Sequence, residues 1–224
     1  MIYTPTRSIV KRVRRTATTA NAILGLLALR REWSTWDLAK QLRRNMRFFW
    51  PRAESQIYEE AKNLVGRGLA RDRQTFTGRR ARTTYAISPK GRAQLGAWLA
   101  SPPKPTSLEC EPLLRVFLGT LGSTDSLRVA FDQVRSDGED VLEVGRVVGP
   151  EYLAGSAPFQ DQVLMRALVL DFLSHHARML IDWADRSQAY VDAWDGLDEE
   201  QRIANALTLI AANLREYPRA RVVD

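Results

Sequence analysis

The chain has 224 residues, 45% hydrophobic and 26% charged, which is enough apolar material for one large or two modest domains and too much for a disordered chain. Its net charge of +7 conceals a division: residues 1–105 hold 22 Lys+Arg against 6 Asp+Glu, whereas residues 106–224 hold 11 against 20. A basic half suits a polyanion and an acidic half is repelled by one, so the two halves are expected to meet different partners. No run of about 18 apolar residues is available to span a membrane. Residues 1–19 lack the apolar stretch of a secretory signal, and the single Cys110 precludes an intrachain disulfide. A cytoplasmic protein is expected.

Residues 1–19 carry Arg7, Lys11, Arg12, Arg14 and Arg15 and read as a basic tail, either solvated or laid along a polyanion. Ala20 to Leu29 is an apolar helical run with Ile23, Leu24 and Leu27 on one side. Ser34 can cap a second helix, with Asp37 three residues on in the manner of a capping box and Trp36, Leu38, Ala39 and Leu42 on the inner side. Phe48, Phe49 and Trp50 then lead to Pro51, which is expected in the first turn of a third helix, where its missing N–H is no loss.

That third helix places Ile57, Ala61, Leu64 and Val65 on one arc. The opposite arc collects Arg52, Ser55, Gln56, Glu59, Lys62 and Asn63, side chains able to reach phosphates and base edges. Gly66 and Gly68 end the helix. Leu69–Arg73 and Arg82–Ile87 read as strands, and Gln74–Ala81 between them holds Gly78, Arg79 and Arg80 in a basic-tipped turn. Each element alone could be an ordinary solvated helix or a charged surface turn. Their order, helix, helix, helix, hairpin, is that of a winged helix-turn-helix, with the third helix reading DNA and the hairpin as its wing. The alternative is a winged helix serving as a protein–protein interaction module, with Glu59 and Glu60 repelling phosphate. Ser88 and Pro89 open a fourth helix through Leu99, and Pro102, Pro103 and Pro105 make a stiff linker that puts a domain boundary near residue 104.

Over about residues 20–100 the chain resembles the PadR family of bacterial transcription regulators. The resemblance is carried by Trp50, Ile57-Tyr58, Gly68-Leu69, Arg80-Ala81-Arg82, Tyr85, Ile87-Ser88 and Gly91. It implies that Tyr58 and the wing arginines Arg79, Arg80 and Arg82 contact the DNA backbone while the third helix enters the major groove. Glu59, Val65 and Thr83 stand where the family usually has proline, an acidic residue and lysine. These departures bear on the base contacts and not on the fold.

The second half reads as helical throughout. Glu111–Leu121 comes first, then Ser126–Val148, with a possible interruption at Asp137-Gly138 and an end at Gly149-Pro150. From Asp161 a stripe of Met165, Val169, Phe172, Leu173, His176, Leu180 and Trp183 runs for about six turns. The family resemblance and the two-fold symmetry of most operators make it the expected dimerisation face. A last helix from Asp198 is capped by Gln201 and turns Ile203, Leu207, Ile210 and Leu214 inward.

Trp183 and Trp194 pack a core or, as the resemblance implies, line a pocket for a small aromatic effector. Adjacent His175 and His176 point about 100° apart on a helix and cannot share a metal. No phosphate loop, nucleophile elbow or acid–base cluster is evident, so no catalytic, cofactor or metal site is expected.

The expected architecture is mainly α with a small β-hairpin wing. It comprises a basic tail (1–19), a winged helix-turn-helix DNA-binding domain (20–104) and an all-helical dimerisation and effector domain (105–224). Such a protein would act as a ligand-responsive repressor, binding double-stranded DNA at an inverted-repeat operator as a homodimer, with no membrane partner.

Overall fold

The computed structural model describes residues 7–77 and 80–216, with side chains throughout except at 7–17, 45, 75, 77, 80 and 81. The chain divides into two compact units, Met1–Thr106 and Ser107–Asp224. The first contains α1 (Arg7–Leu29), β1 (Trp33–Ser34), α2 (Thr35–Met46), α3 (Glu54–Gly66), β2 (Ala70–Thr77), β3 (Arg80–Ile87) and α4 (Pro89–Ala100). The three strands form one antiparallel sheet in the order β1-β3-β2.

Helix periodicity explains the core of this unit. Ile23, Leu24 and Leu27 of α1, Leu38, Ala39 and Leu42 of α2, and Ile57, Ala61 and Leu64 of α3 are all buried, each set recurring at three- and four-residue steps. Ser34 caps α2 by accepting a hydrogen bond from the Asp37 amide at 3.1 Å. Trp36 departs from the expected inner side and is 59% exposed, with the Lys40 ammonium 4.8 Å from its ring centroid. It lies about 200° around the helix from Leu38, so both cannot face inward. The core aromatic is instead Trp33, which is 2% exposed on β1 and pairs with Tyr85.

Three boundaries differ from expectation. Helix α1 already begins at Arg7, so residues 7–19 belong to a helix and not to a tail; residues 1–6 lie outside the described set. Helix α3 begins at Glu54 with Ala53 at its N-cap, leaving Pro51 and Arg52 in an extended lead. The Arg52 guanidinium stacks on the Trp50 ring at 4.1 Å and its Nε donates to Thr19 Oγ1 at 3.3 Å, which ties this lead to α1. The hairpin strands extend to Thr77 and from Arg80, because Thr and Phe between residues 74 and 77 favour the pleated backbone.

One junction joins α3, the hairpin and α4. Gly68, at φ +69°, donates to Val65 O at 2.8 Å, and Leu69 donates to Leu64 O at 2.8 Å. This is a Schellman ending with buried Leu64 and Leu69 as its apolar pair. The Ser88 hydroxyl donates to Gly68 O at 2.7 Å and accepts from the Gly91 amide at 3.0 Å. A Cβ on Gly91 would lie 2.0 Å from Leu69 O, so only glycine allows α4 to start this close to the strand.

Glu60 is unexpectedly buried, on the inner side of α3. Desolvation raises its pKa against the opposing influence of the Asn63 side chain and of Arg67, whose guanidinium is 3.7 Å away. Its Oε1 makes no hydrogen bond to the described residues.

The second unit contains α5 (Glu111–Phe117), α6 (Thr124–Leu153), α7 (Val163–Asp192) and α8 (Glu199–Glu216). Helices α6 and α7 pack antiparallel around Leu127, Phe131, Val134, Ala184 and Val191. Helix α6 runs unbroken through Asp137-Gly138 and past Pro150. Gly138 is a point of close approach, since a Cβ there would lie 2.8 Å from both Ala177 O and Ile181 Cγ1. Arg128 bonds Asp192 at 2.7 Å and Arg135 bonds Asp185 at 2.6 Å across the pair.

Three variants check this account in denaturant melts. Gly91→Ala and Gly138→Ala should each lose about 1–3 kcal/mol with an unchanged m-value, the range for overpacking a tight contact. Glu60→Gln should be more stable than wild type at neutral pH. Because the folded carboxyl has a raised pKa, wild type loses stability as pH rises through that value, and the advantage of Gln should vanish below about pH 4.3, where Glu60 is protonated in both states.

Candidate nucleic-acid interface

The outer side of α3 is formed by Ser55, Gln56, Glu59, Lys62 and Asn63, all exposed, directly opposite the buried Ile57, Ala61 and Leu64. Tyr58 is half-buried beside this row, with its hydroxyl 3.5 Å from Glu54 Oε2. The helix thus presents one acceptor-only group, Glu59, among amides, a hydroxyl and an ammonium, a set able to engage both base edges and phosphates. Glu60 faces the core, so only one of the two adjacent carboxylates stands on this surface. Arg52 lies in the extended lead and does not share the α3 face with the others.

Strand alternation sorts the hairpin into two faces. Ala70, Tyr85 and Trp33 share the inward face. The register pairs Arg73 with Thr84 and Thr75 with Arg82, so Arg71, Arg73 and Arg82 fall on the opposite face, and all three are exposed. Sequence reasoning placed Arg71 and Arg73 in a strand without assigning them to the site. Their two-residue spacing was the available signal.

The basic residues are partly engaged within the chain. Arg82 donates to Asp37 Oδ2 at 2.8 Å, and the same carboxylate oxygen accepts from the Ser34 hydroxyl that caps α2. Arg73 lies 3.6 Å from Glu32, and Arg43 lies 2.8 Å from Glu54 at the start of α3. Ser34, Thr35, Trp36, Arg82 and Thr83 line a shallow groove between the start of α2 and β3. Arg79 lies outside the described residues, and Arg80 is described by its backbone pairing with Thr77.

The residues expected on the dimerisation stripe divide between two environments. Leu173 is buried, and Leu180 and Trp183 pack against the α6–α7 core, where Trp183 meets Phe131 edge-on with ring centroids 5.7 Å apart. Their apolar contacts are therefore made within the chain. Met165, Val169 and Phe172 are exposed, and His176 stacks on Phe172 at 6.2 Å. Trp194 also packs on the core cluster. Among the described residues no helix is long and apolar enough to cross a membrane, and no group of three His, Cys, Asp or Glu is placed to hold a metal.

No family model matches the chain. It is 34% identical over 163 residues to the probable transcriptional regulator Rv1176c of Mycobacterium tuberculosis, covering 68% of this chain and 86% of that protein. It is 30% identical over 117 residues to the negative transcriptional regulator PadR of Bacillus subtilis, covering 51% and 64%. The crystal structure of Bacillus subtilis PadR in complex with operator DNA superposes with a TM-score of 0.62 at 24% identity, covering 77% of this chain and 98% of that one. The same protein in complex with p-coumaric acid gives a TM-score of 0.58 at 23% identity, covering 79% and 97%. The exposed polar face of α3, the arginine-bearing hairpin and these relatives agree, and the chain belongs to the PadR family of transcriptional regulators.

Proposed function

We propose that this chain is a cytoplasmic repressor that binds duplex DNA at an inverted-repeat operator as a homodimer, and that a small aromatic effector relieves repression. The observation carrying this reading is the α3 surface, where Ser55, Gln56, Lys62 and Asn63 stand exposed on a helix whose other side is fixed in a core. Each α3 enters a major groove, Gln56 and Asn63 read base edges, and Lys62, Tyr58 and Arg52 hold the flanking backbone. The hairpin arginines Arg79, Arg80 and Arg82, joined by Arg71 and Arg73, neutralise phosphates beside the groove.

The dimer is formed by the acidic unit, through the exposed Met165, Val169 and Phe172 and the neighbouring His176. Leu173, Leu180 and Trp183 support that surface from the core side. The relative bound to p-coumaric acid supports a flat aromatic acid as effector. Such a ligand shifts the equilibrium only by its differential affinity for two spacings of the reading helices, so it must prefer the spacing that does not fit the operator.

Incubation with sheared genomic DNA from the source organism at about 0.15 M salt, where weak nonspecific contacts are screened, should enrich a few promoter fragments. These should share an inverted repeat with half-sites about 10 base pairs apart. Uniform or absent recovery would instead favour a winged helix used for protein contacts. Joint replacement of Arg79, Arg80 and Arg82 by Ala should weaken binding to every sequence and reduce the salt slope by about 0.9 for each phosphate no longer neutralised; an unchanged slope would remove the hairpin from the interface. Gln56→Ala or Asn63→Ala should instead relax base preference by about 1–3 kcal/mol at one position per half-site. A sequence preference identical to wild type in both variants would show that another face does the reading.

A further inference from the structure

The inner edge of the α3 surface holds a charge where packing alone would place an apolar side chain. Glu60 is 4% exposed, and its Oε1 has no hydrogen-bond partner among the described residues. Arg67 stands 3.7 Å from that oxygen, too far for a hydrogen bond. A buried carboxylate paired this loosely loses more hydration energy than the ion pair recovers, in keeping with the desolvation that raises its pKa. Stability of the fold therefore gives no reason for a glutamate here.

What the carboxylate does meet is the exposed row of α3. Asn63 lies three residues on, about 60° around the helix and nearly one turn along, so the two side chains adjoin across the seam between the buried and exposed sides. Glu60, Lys62, Asn63, Gly66 and Arg67 line one shallow groove at the end of α3. The Asn63 side chain hydrogen-bonds the Glu60 carboxyl and favours its charged form. The cation beside it is steadied by the scaffold. Arg67 Nη2 donates to Gln94 Oε1 at 3.5 Å, Gln94 Nε2 donates to Asn21 Oδ1 at 3.1 Å, and Lys90 Nζ donates to Arg67 O at 3.0 Å. Glu60 thus sits between an arginine tied to α1 and α4 and an exposed amide on the outer side of α3.

An amide and a carboxylate can meet in only one sense. An ionised carboxylate has acceptors and no donor, so the Asn63 amide must turn its NH2 group towards Glu60. Its carbonyl oxygen and the second N–H are then left for an outside partner. Those are the acceptor and the donor that a bidentate contact to adenine N6 and N7 requires. Without this neighbour the two ends of the amide could exchange places at little cost and present a different pattern.

We propose that Glu60 sets the base preference of Asn63: held in the core beside Arg67, it fixes which end of the Asn63 amide faces DNA, so that Asn63 selects adenine at one position of each half-site. This rests on Asn63 as a base reader in the proposed function and deepens it by naming the base. Glu60 itself touches no DNA and is a positioning residue.

Selection by the full chain from a library of duplexes randomised over the half-site, read by sequencing, tests this. Wild type should select adenine at the position that Asn63→Ala relaxes. Glu60→Met, which replaces the buried carboxylate with an apolar chain of similar length, should melt no lower than wild type. It should lose that adenine preference on the order of tenfold while its affinity for unselected DNA stays unchanged. Glu60→Leu, equally without an acceptor, should do the same. Added to Asn63→Ala, Glu60→Met should relax nothing further. A wild-type adenine preference in both Glu60 variants would overturn the proposal and leave Asn63 a reader, as would a base other than adenine at the Asn63 position. An equal loss of affinity for every sequence, or a further effect in the Asn63→Ala background, would also overturn it, since Glu60 would then act on α3 as a whole. If Asn63→Ala alters no base preference, or wild type selects no sequence, this proposal and the reading face fall together.

Discussion

The close contact between α4 and the end of α3 is the constraint on which the first unit depends. At Gly91 the helix approaches the Leu69 carbonyl so nearly that no side chain fits, and Ser88 holds the same point by bonding both Gly68 and Gly91. Three elements leave this one place: α3 behind it, the hairpin through it and α4 ahead of it. An exposed helical face is useful for recognition only if its orientation is set to within a fraction of a residue step. Here it is set by backbone hydrogen bonds, the Ser88 hydroxyl and one excluded Cβ, and Lys90 Nζ adds a bond to Arg67 O at 3.0 Å.

Much of this arrangement was legible in the sequence because it is written in short-range terms. Helical spacing identified Ile57, Ala61 and Leu64 as inward and Gln56, Lys62 and Asn63 as outward, and the Ser34/Asp37 and Asp198/Gln201 pairs marked two helix starts. What escaped depended on tertiary contact. Gly138 reads as a breaker in isolation, but it is the point at which α7 needs room, and an α6 of 30 residues passes through it. Pro51 is suited to a first helical turn, yet Arg52 stacked on Trp50 and bonded to Thr19 holds that segment extended. Trp36 and Trp33 are indistinguishable by hydrophobicity, and only the pairing of Trp33 with Tyr85 across β1 and β3 decides which enters the core. The apolar stripe of α7 has the spacing of one face, but α6 covers only its later part.

The two units are stabilised by different means. The basic unit closes a mixed core of helix and strand residues, with Glu60 as a buried carboxylate whose ionisation works against the fold. The acidic unit is a long antiparallel pair. Its apolar core is narrow, and Arg128 and Arg135 reach across to Asp192 and Asp185 at its edge. Hydrogen bonds to these carboxylates raise both guanidinium pKa values, a matter of geometry more than of titration, since arginine is charged throughout the physiological range.

The ion pair between Arg82 and Asp37 has an effect on how the hairpin meets a polyanion. While it is closed, the pair itself carries no net charge, and the arginine has already exchanged mobile counterions for a fixed carboxylate. An approaching phosphate would therefore displace an intramolecular partner and not a diffuse ion cloud. The displaced Asp37 also caps α2 through Ser34, so engagement of the hairpin would be felt at the start of the helix that precedes α3. A contact that is ordinarily a matter of surface charge becomes, at this position, an exchange of partners inside the protein.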